Sequence, residues 1–151
     1  QIDVVSADEL KKDQYGVYLY IDKTAKNGQV YFYDIKVSYK GTLSGFSSTV
    51  GRPITHMAPI DVTSAPATSD GIKIKWEKSD YATAYRILRR EKGTKSYEYY
   101  SYVDNGKTTT ALDQNVESGK TYEYAVIAIH DENNGKGGWS AIGGSKSVKA
   151  K

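Results

Sequence analysis

Apolar and polar residues alternate most clearly at Ile72-Lys73-Ile74-Lys75-Trp76, which puts Ile72, Ile74 and Trp76 on one face of a predicted strand. A second alternating run follows the turn signal Ser118-Gly119, where Tyr122, Tyr124, Val126 and Ala128 recur at a period of two. Between them lie a strand over 84–90, with Tyr85 and Ile87 on one side and Arg86 and Leu88 on the other, and a strand over 97–103. Asp104-Asn105-Gly106-Lys107 is a tight-turn signal. Extended residues at 59–62, a strand over 108–112 and a last one near 145–148 complete the set. The pattern predicts seven short strands in residues 58–149, an all-β two-layer sandwich with Trp76, Tyr85, Ile87, Tyr122, Tyr124 and Val126 in its core.

The tyrosine-led pattern occurs twice. Gly28, Tyr31, Tyr33, Ile35 and Val37 stand 91 residues before Gly119, Tyr122, Tyr124, Val126 and Ala128, and Ile21-Asp22 stands 91 before Leu112-Asp113. Gly45-Phe46-Ser47 matches Gly138-Trp139-Ser140 at 93, which implies a two-residue loop insertion in the later copy. A spacing near 90 residues suits an array of small domains. Residues 1–57 are therefore expected to be one unit and 58–151 another, with Tyr31 and Tyr33 in the core of the first. In the first unit, 2–5 and 15–21 read as short strands and 6–13 as a loop or one helical turn, with Ser6 and Glu9 at capping-box spacing. A long strand is expected over 29–39 and a last one over 49–56.

Trp76 on the second strand, Tyr85-Arg86-Ile87 on the third, Val116 six residues before Tyr122, and Gly119 ahead of Tyr122-Glu123-Tyr124-Ala125-Val126 together resemble a fibronectin type III module. The resemblance covers residues 58–149 and implies sheets of three and four strands, a core tryptophan, and a corner tyrosine at Tyr122 whose hydroxyl ties down the loop before it. In style the sequence resembles modules of secreted bacterial surface proteins and carbohydrate-active enzymes. Residues 1–57 resemble only the later part of such a module. Trp76 precedes Tyr122 by 46 residues, whereas Tyr31 has 30 residues before it and no tryptophan precedes Met57. Half a sandwich leaves an apolar face uncovered, so an upstream segment, a second polypeptide or a partner copy is expected to complete it. Opening on Gln1, the chain reads as a mature or excised piece of a longer protein.

Composition narrows the function. The 14 tyrosines suit half-buried pleated surfaces, and the lack of cysteine removes disulfides, thiolate metal sites and cysteine nucleophiles. The net charge of +3 divides into seven basic and six acidic residues up to Met57, then fourteen and twelve, which is too balanced for a nucleic-acid binder. No apolar run approaches the length of a membrane span.

His56 and His130, the two histidines, have no partner motif in sequence, and no nucleophile elbow, zinc pair or phosphate loop occurs. No enzyme activity and no cofactor are expected. Asp131-Glu132-Asn133-Asn134-Gly135 offers Asp131 and Asn133 as weak calcium ligands, but the twelfth position is Ile142 and the composition is that of an ordinary turn. Arg86, Arg89, Arg90, Lys92 and Lys95 read either as a site for acidic polymers or as a solvated, aggregation-guarded face. The outward positions of the larger sheet, Leu88, Ile127 and Ile129 with Tyr97, Tyr99 and Trp139, suggest an interaction surface for a neighbouring domain or a glycan. The connection 54–59 contains Pro59, follows Pro53 and has no Gly/Ser tether, so it favours a fixed angle between units. The resulting expectation is a non-catalytic extracellular or cell-surface spacer positioning a catalytic or adhesive domain, with glycan binding through aromatics as the alternative.

Overall fold

The alternation at Ile72, Ile74 and Trp76 becomes a strand because each of these side chains is sealed against a facing sheet, while Lys73 and Lys75 stay in water. The computed structural model describes residues 3–13, 15–47, 53–131 and 137–151. In chain order the strands are β1 (Lys11–Lys12), β2 (Tyr18–Leu19), β3 (Val30–Tyr31), β4 (Ser38–Tyr39), β5 (Thr42–Leu43), β6 (Ile54–Thr55), β7 (Val62–Ser64) and β8 (Ala67–Thr68). They continue as β9 (Gly71–Trp76), β10 (Ala84–Glu91), β11 (Glu98–Val103), β12 (Thr110–Asp113), β13 (Thr121–His130), β14 (Gly138–Trp139) and β15 (Lys146–Lys149).

From β7 onward the strands form two antiparallel sheets. The smaller is ordered β12-β9-β7, with β8 also on β9; the larger is β11-β10-β13-β14, with β15 also on β13. Counting β7 with β8 and β14 with β15 as interrupted single strands, these segments fill seven strand positions, three in one layer and four in the other. This is an immunoglobulin- and fibronectin type III-like β-sandwich. The core comes from both layers: Val62, Ile72, Ile74 and Trp76 from one, Tyr85, Ile87, Tyr122, Tyr124 and Val126 from the other. Trp76, 2% exposed, meets Tyr85 edge to face with centroids 5.4 Å apart. The corner tyrosine is in place, since the Glu117 N–H donates to the Tyr122 hydroxyl at 3.1 Å.

The tight turn expected at Asp104–Lys107 is present, with the Thr108 N–H donating to the Asn105 carbonyl at 3.2 Å, and it carries the chain from β11 in one layer to β12 in the other. Gly106 is required there by crowding, because a Cβ would stand 1.8 Å from the Ala82 carbonyl oxygen. The strand expected over 97–103 is present as β11, with a bulge in it. Its register against β10 slips between Ile87 and Leu88, so Ser101 faces Ile87 and Tyr99 faces Leu88. Tyr100 is the extra residue of a bulge and turns to the core side.

Residues 3–47 are built differently. A 3-10 turn occupies Ala7–Glu9, with the Ser6 N–H donating to the Glu9 carboxylate at 3.4 Å. Beyond it lie the short ladders β1–β2, β3–β6 and β4–β5. The continuous strand expected over 29–39 is broken into β3 and β4, and that over 15–21 shrinks to β2. Residue 2 and residues 49–52 of the expected outer strands lie outside the described residues. Tyr31 and Tyr33 are half-buried rather than in a core, because no second layer faces them among the described residues. Phe32, Ile35 and Val37 are exposed.

The sequence repeat is nevertheless a repeat of hydrogen bonds. Lys26 N–H donates to the Tyr31 hydroxyl at 2.8 Å, as Glu117 does to Tyr122. Tyr33 donates to Asp22 Oδ2 at 2.9 Å, as Tyr124 donates to Asp113 Oδ2 at 2.7 Å. Val30 and Tyr31 pair with Thr55 and Ile54, as Thr121 and Tyr122 pair with Lys149 and Val148. Further along, Ser47 bonds Ile35 where Ser140 bonds Ala128. By these bonds Ile35 answers to Ala128 rather than Val126, and the two additional residues fall within the strand rather than in the loop after it.

Candidate functional site

The outer face of the larger sheet follows from the register. Rows across it run Ala84–Ile129–Trp139, Tyr102–Arg86–Ile127 and Tyr99–Leu88–Ala125. A fourth joins Arg90 to Glu123, with Tyr97 beside them. The sequence placed Leu88, Tyr97, Tyr99, Ile127, Ile129 and Trp139 together, and they do share this face. They are not equally accessible. Leu88 and Ile129 are buried, Ile127 and Tyr97 half-buried, while Trp139 and Tyr99 are 58% and 60% exposed.

Arg86 supplies much of the cover. Its guanidinium carbon lies 4.3 Å from the Trp139 ring centroid and 5.4 Å from that of Tyr99, and its Nε has no hydrogen-bond partner among the described residues. A weakly hydrated planar cation tolerates such a position between rings. The face is thus an apolar floor roofed by one arginine and flanked by two accessible rings.

Arg90 anchors the other end. Its Nε donates to Glu123 at 2.9 Å, and its guanidinium carbon lies 4.5 Å from the Tyr97 ring centroid. The Glu123 carboxylate also accepts from the Ser145 and Tyr97 hydroxyls. These bonds, Ser145 foremost, hold its pKa down to about 2 against an opposing desolvation.

Arg89 turns the opposite way. It reaches Asp113 Oδ2 at 2.9 Å and the Asn115 carbonyl at 2.8 Å. Asp113 is 0% exposed and holds the inner end of the sheet together by also accepting from Tyr124. The five-residue basic cluster is therefore not one site: Arg86, Arg89 and Arg90 are separately engaged, and Lys92 and Lys95 are exposed. Sequence reasoning missed Asp113 and Glu123. The repeated acid at Asp22 and Asp113 was the available sign of the first; nothing in the sequence marked the second.

The histidines lie near the junction of the two units. His56 exchanges backbone bonds with Gly28 and Gln29, and His130 Nδ1 meets the Tyr81 carbonyl at 2.7 Å. Asp131 is exposed, with its N–H donating to Thr83, and Asn133 lies outside the described residues. No helix among the described residues is long and apolar enough to cross a membrane.

At the junction, the connection between the units is packed. Thr55 is 2% exposed, and Met57 and Ile60 are buried with it. A Cβ on Gly138 would stand 1.8 Å from the Thr55 carbonyl oxygen, and one on Gly28 would meet the Tyr81 ring at 2.4 Å. The Asn27 side chain accepts from the Ala58 N–H at 2.9 Å.

No protein-family model matches the chain, and no curated protein matches it. Among solved structures it is similar to a twitchin kinase region from C. elegans (Fn31-NL-kin-CRD-Ig26), at 18% identity and a TM-score of 0.48 over 62% of this chain. The chain spans 16% of the length of that relative. The assignment to an immunoglobulin- and fibronectin type III-like sandwich rests on the strand order, the buried tryptophan and the corner tyrosine.

Proposed function

We propose that this chain is a non-catalytic spacer and interaction segment of a larger secreted or cell-surface bacterial protein, in which residues 58–151 form a fibronectin type III-like module and residues 1–57 the later part of a preceding one. The observation that carries this reading is the packed connection from Ile54 to Ile60. Its Thr55, Met57 and Ile60 are buried where a tether would be solvated. A joint held by core side chains and by backbone contacts at Gly28 and Gly138 transmits orientation, which is what a spacer does.

The test is to insert Gly-Ser-Gly-Ser between Met57 and Ala58 and measure spin-label distances across the joint. A narrow distribution in the native chain that broadens on insertion supports the reading. An equally broad distribution in both defeats it.

Glycan recognition is the second reading, supported by the accessible Trp139 and Tyr99 rings on either side of Arg86. Sugar rings stack on such faces while guanidinium N–H groups meet hydroxyls. Retention on polysaccharide affinity gels that disappears with Trp139→Ala and Tyr99→Ala would favour it over the spacer alone.

A further inference from the structure

We propose that the outer face of the larger sheet binds a polysaccharide that carries carboxylates, with the Arg86 guanidinium taking a uronate and the Trp139 and Tyr99 rings taking the sugar rings beside it. This rests on the glycan reading, and adds the chemical class of the glycan and the residue that selects it.

The cation is the starting point. Strand β10 carries three arginines, and two of them find acids within the chain: Arg89 meets Asp113 at 2.9 Å and Arg90 meets Glu123 at 2.7 Å. Arg86 makes no hydrogen bond or ion pair among the described residues, and its Nε is buried without a partner. A donor shut away from water and from any acceptor costs free energy, which contact with ring faces offsets only in part. The planar fork matches a carboxylate through two parallel N–H···O bonds, so an acid arriving from outside completes at Arg86 what Asp113 and Glu123 complete for its neighbours.

The surroundings point to what carries that acid. β10 lies between β11 and β13, so the main-chain groups beneath Arg86 are already paired. A peptide that adds as a strand needs an open edge, and this part of the face has none to give. It offers two accessible aromatic planes instead, Trp139 at 4.3 Å and Tyr99 at 5.4 Å from the guanidinium carbon. Rings on both sides of one cation suit the C–H faces of sugars on both sides of one acid. The charge on the chain is limited as well. At one end of the face Tyr102, the cross-strand neighbour of Arg86, has its pKa raised by burial first and then by Asp104 and Asp131. At the other end stands Glu123, an anion held by Arg90. A densely sulfated chain would run into these carboxylates, whereas a single uronate sits between them.

The experiment titrates the whole chain with oligosaccharides of galacturonate, of mannuronate and guluronate, and of glucuronate alternating with a neutral sugar, each as the acid and as its methyl ester. Calorimetry gives the affinity, and the indole N–H resonances locate the contact. At least one acid is expected to bind, to shift the Trp139 resonance and not that of Trp76, and to lose about tenfold in affinity on esterification. That comparison uses the native chain and so does not depend on any variant folding. Arg86→Gln should erase the advantage of acid over ester, and Arg86→Lys, which keeps the charge without the fork, should restore only part of it. Acid and ester binding alike, or a neutral galactan binding where no acid does, overturns the proposal and leaves the glycan reading standing. No binding by any acid, ester or galactan overturns both. Polyglutamate binding as tightly as the uronates, or dextran sulfate binding undiminished in Arg86→Gln, also overturns it, by showing that charge alone is read.

Discussion

Tyr124 donates its hydroxyl to Asp113 Oδ2 at 2.7 Å, with both side chains sealed from water. Burial first, and then this bond, push the tyrosine well above its ordinary pKa, so it remains a donor wherever the module is folded. A buried carboxylate persists only if fully matched, and Arg89 with the Asn115 N–H completes the set.

Removing the cation should therefore cost more than removing the phenol. Arg89→Met is expected to destabilise by about 3–5 kcal/mol, since it leaves a buried charge unpaired. Tyr124→Phe should cost about 1–2 kcal/mol for one hydrogen bond. Urea denaturation gives the order, and equal costs would refute the argument.

Glu123 gives a pH signature. Its carboxyl titrates at about 2 in the folded chain, below the ordinary 4.5. A depressed acid stabilises above its unfolded pKa, and that contribution disappears as pH falls towards the folded value. Between pH 5 and 2 the native chain should lose about 2–3 kcal/mol relative to Glu123→Gln. Parallel stability curves for the two proteins would contradict this.

The two tryptophans should behave oppositely. Trp76→Ala empties the centre of the sandwich and is expected to cost about 3–5 kcal/mol. Trp139→Ala removes an exposed ring and its contact with Arg86, for about 0.5–1 kcal/mol. Emission spectra of the two single-tryptophan proteins provide an independent check: blue for Trp76, red for Trp139.

Gly28 and Gly119 share a left-handed conformation, φ +75° and +84°, in different surroundings. Gly119 has nothing within reach of a Cβ, so Gly119→Ala should cost only the conformational penalty, about 1 kcal/mol. Gly28→Ala adds a collision with Tyr81 and should tilt the first unit while leaving the sandwich intact. Spin-label distances across the joint would shift for the second substitution and hold for the first.

What the sequence revealed was whatever obeys a period of two against a packed layer. Ile72, Ile74 and Trp76, or Tyr122, Tyr124 and Val126, are buried on alternate positions because a facing sheet enforces it. The bulge at Tyr100 was invisible, since adjacent tyrosines point to opposite sides under either register. The shortening of the strand expected over 29–39 was equally hidden. Residues such as Phe32 and Ile35 have strong strand propensity, but propensity without a neighbouring strand does not sustain a ladder. The outer face was found from alternation, yet its cover by Arg86 depends on a side-chain path that no pattern encodes.

The hairpin of β4 and β5 turns through Lys40, whose backbone takes φ +48°, and Gly41, in a region where side chains are exposed. Arg86, Arg89 and Arg90, by contrast, sit inside a paired strand. A trypsin-like protease given the intact chain should therefore nick first after Lys40 and spare these three arginines. That would leave a fragment from Gly41 onward that keeps the joint and the resistant sandwich beyond it, so the first product of digestion reports on the joint as well as on the module.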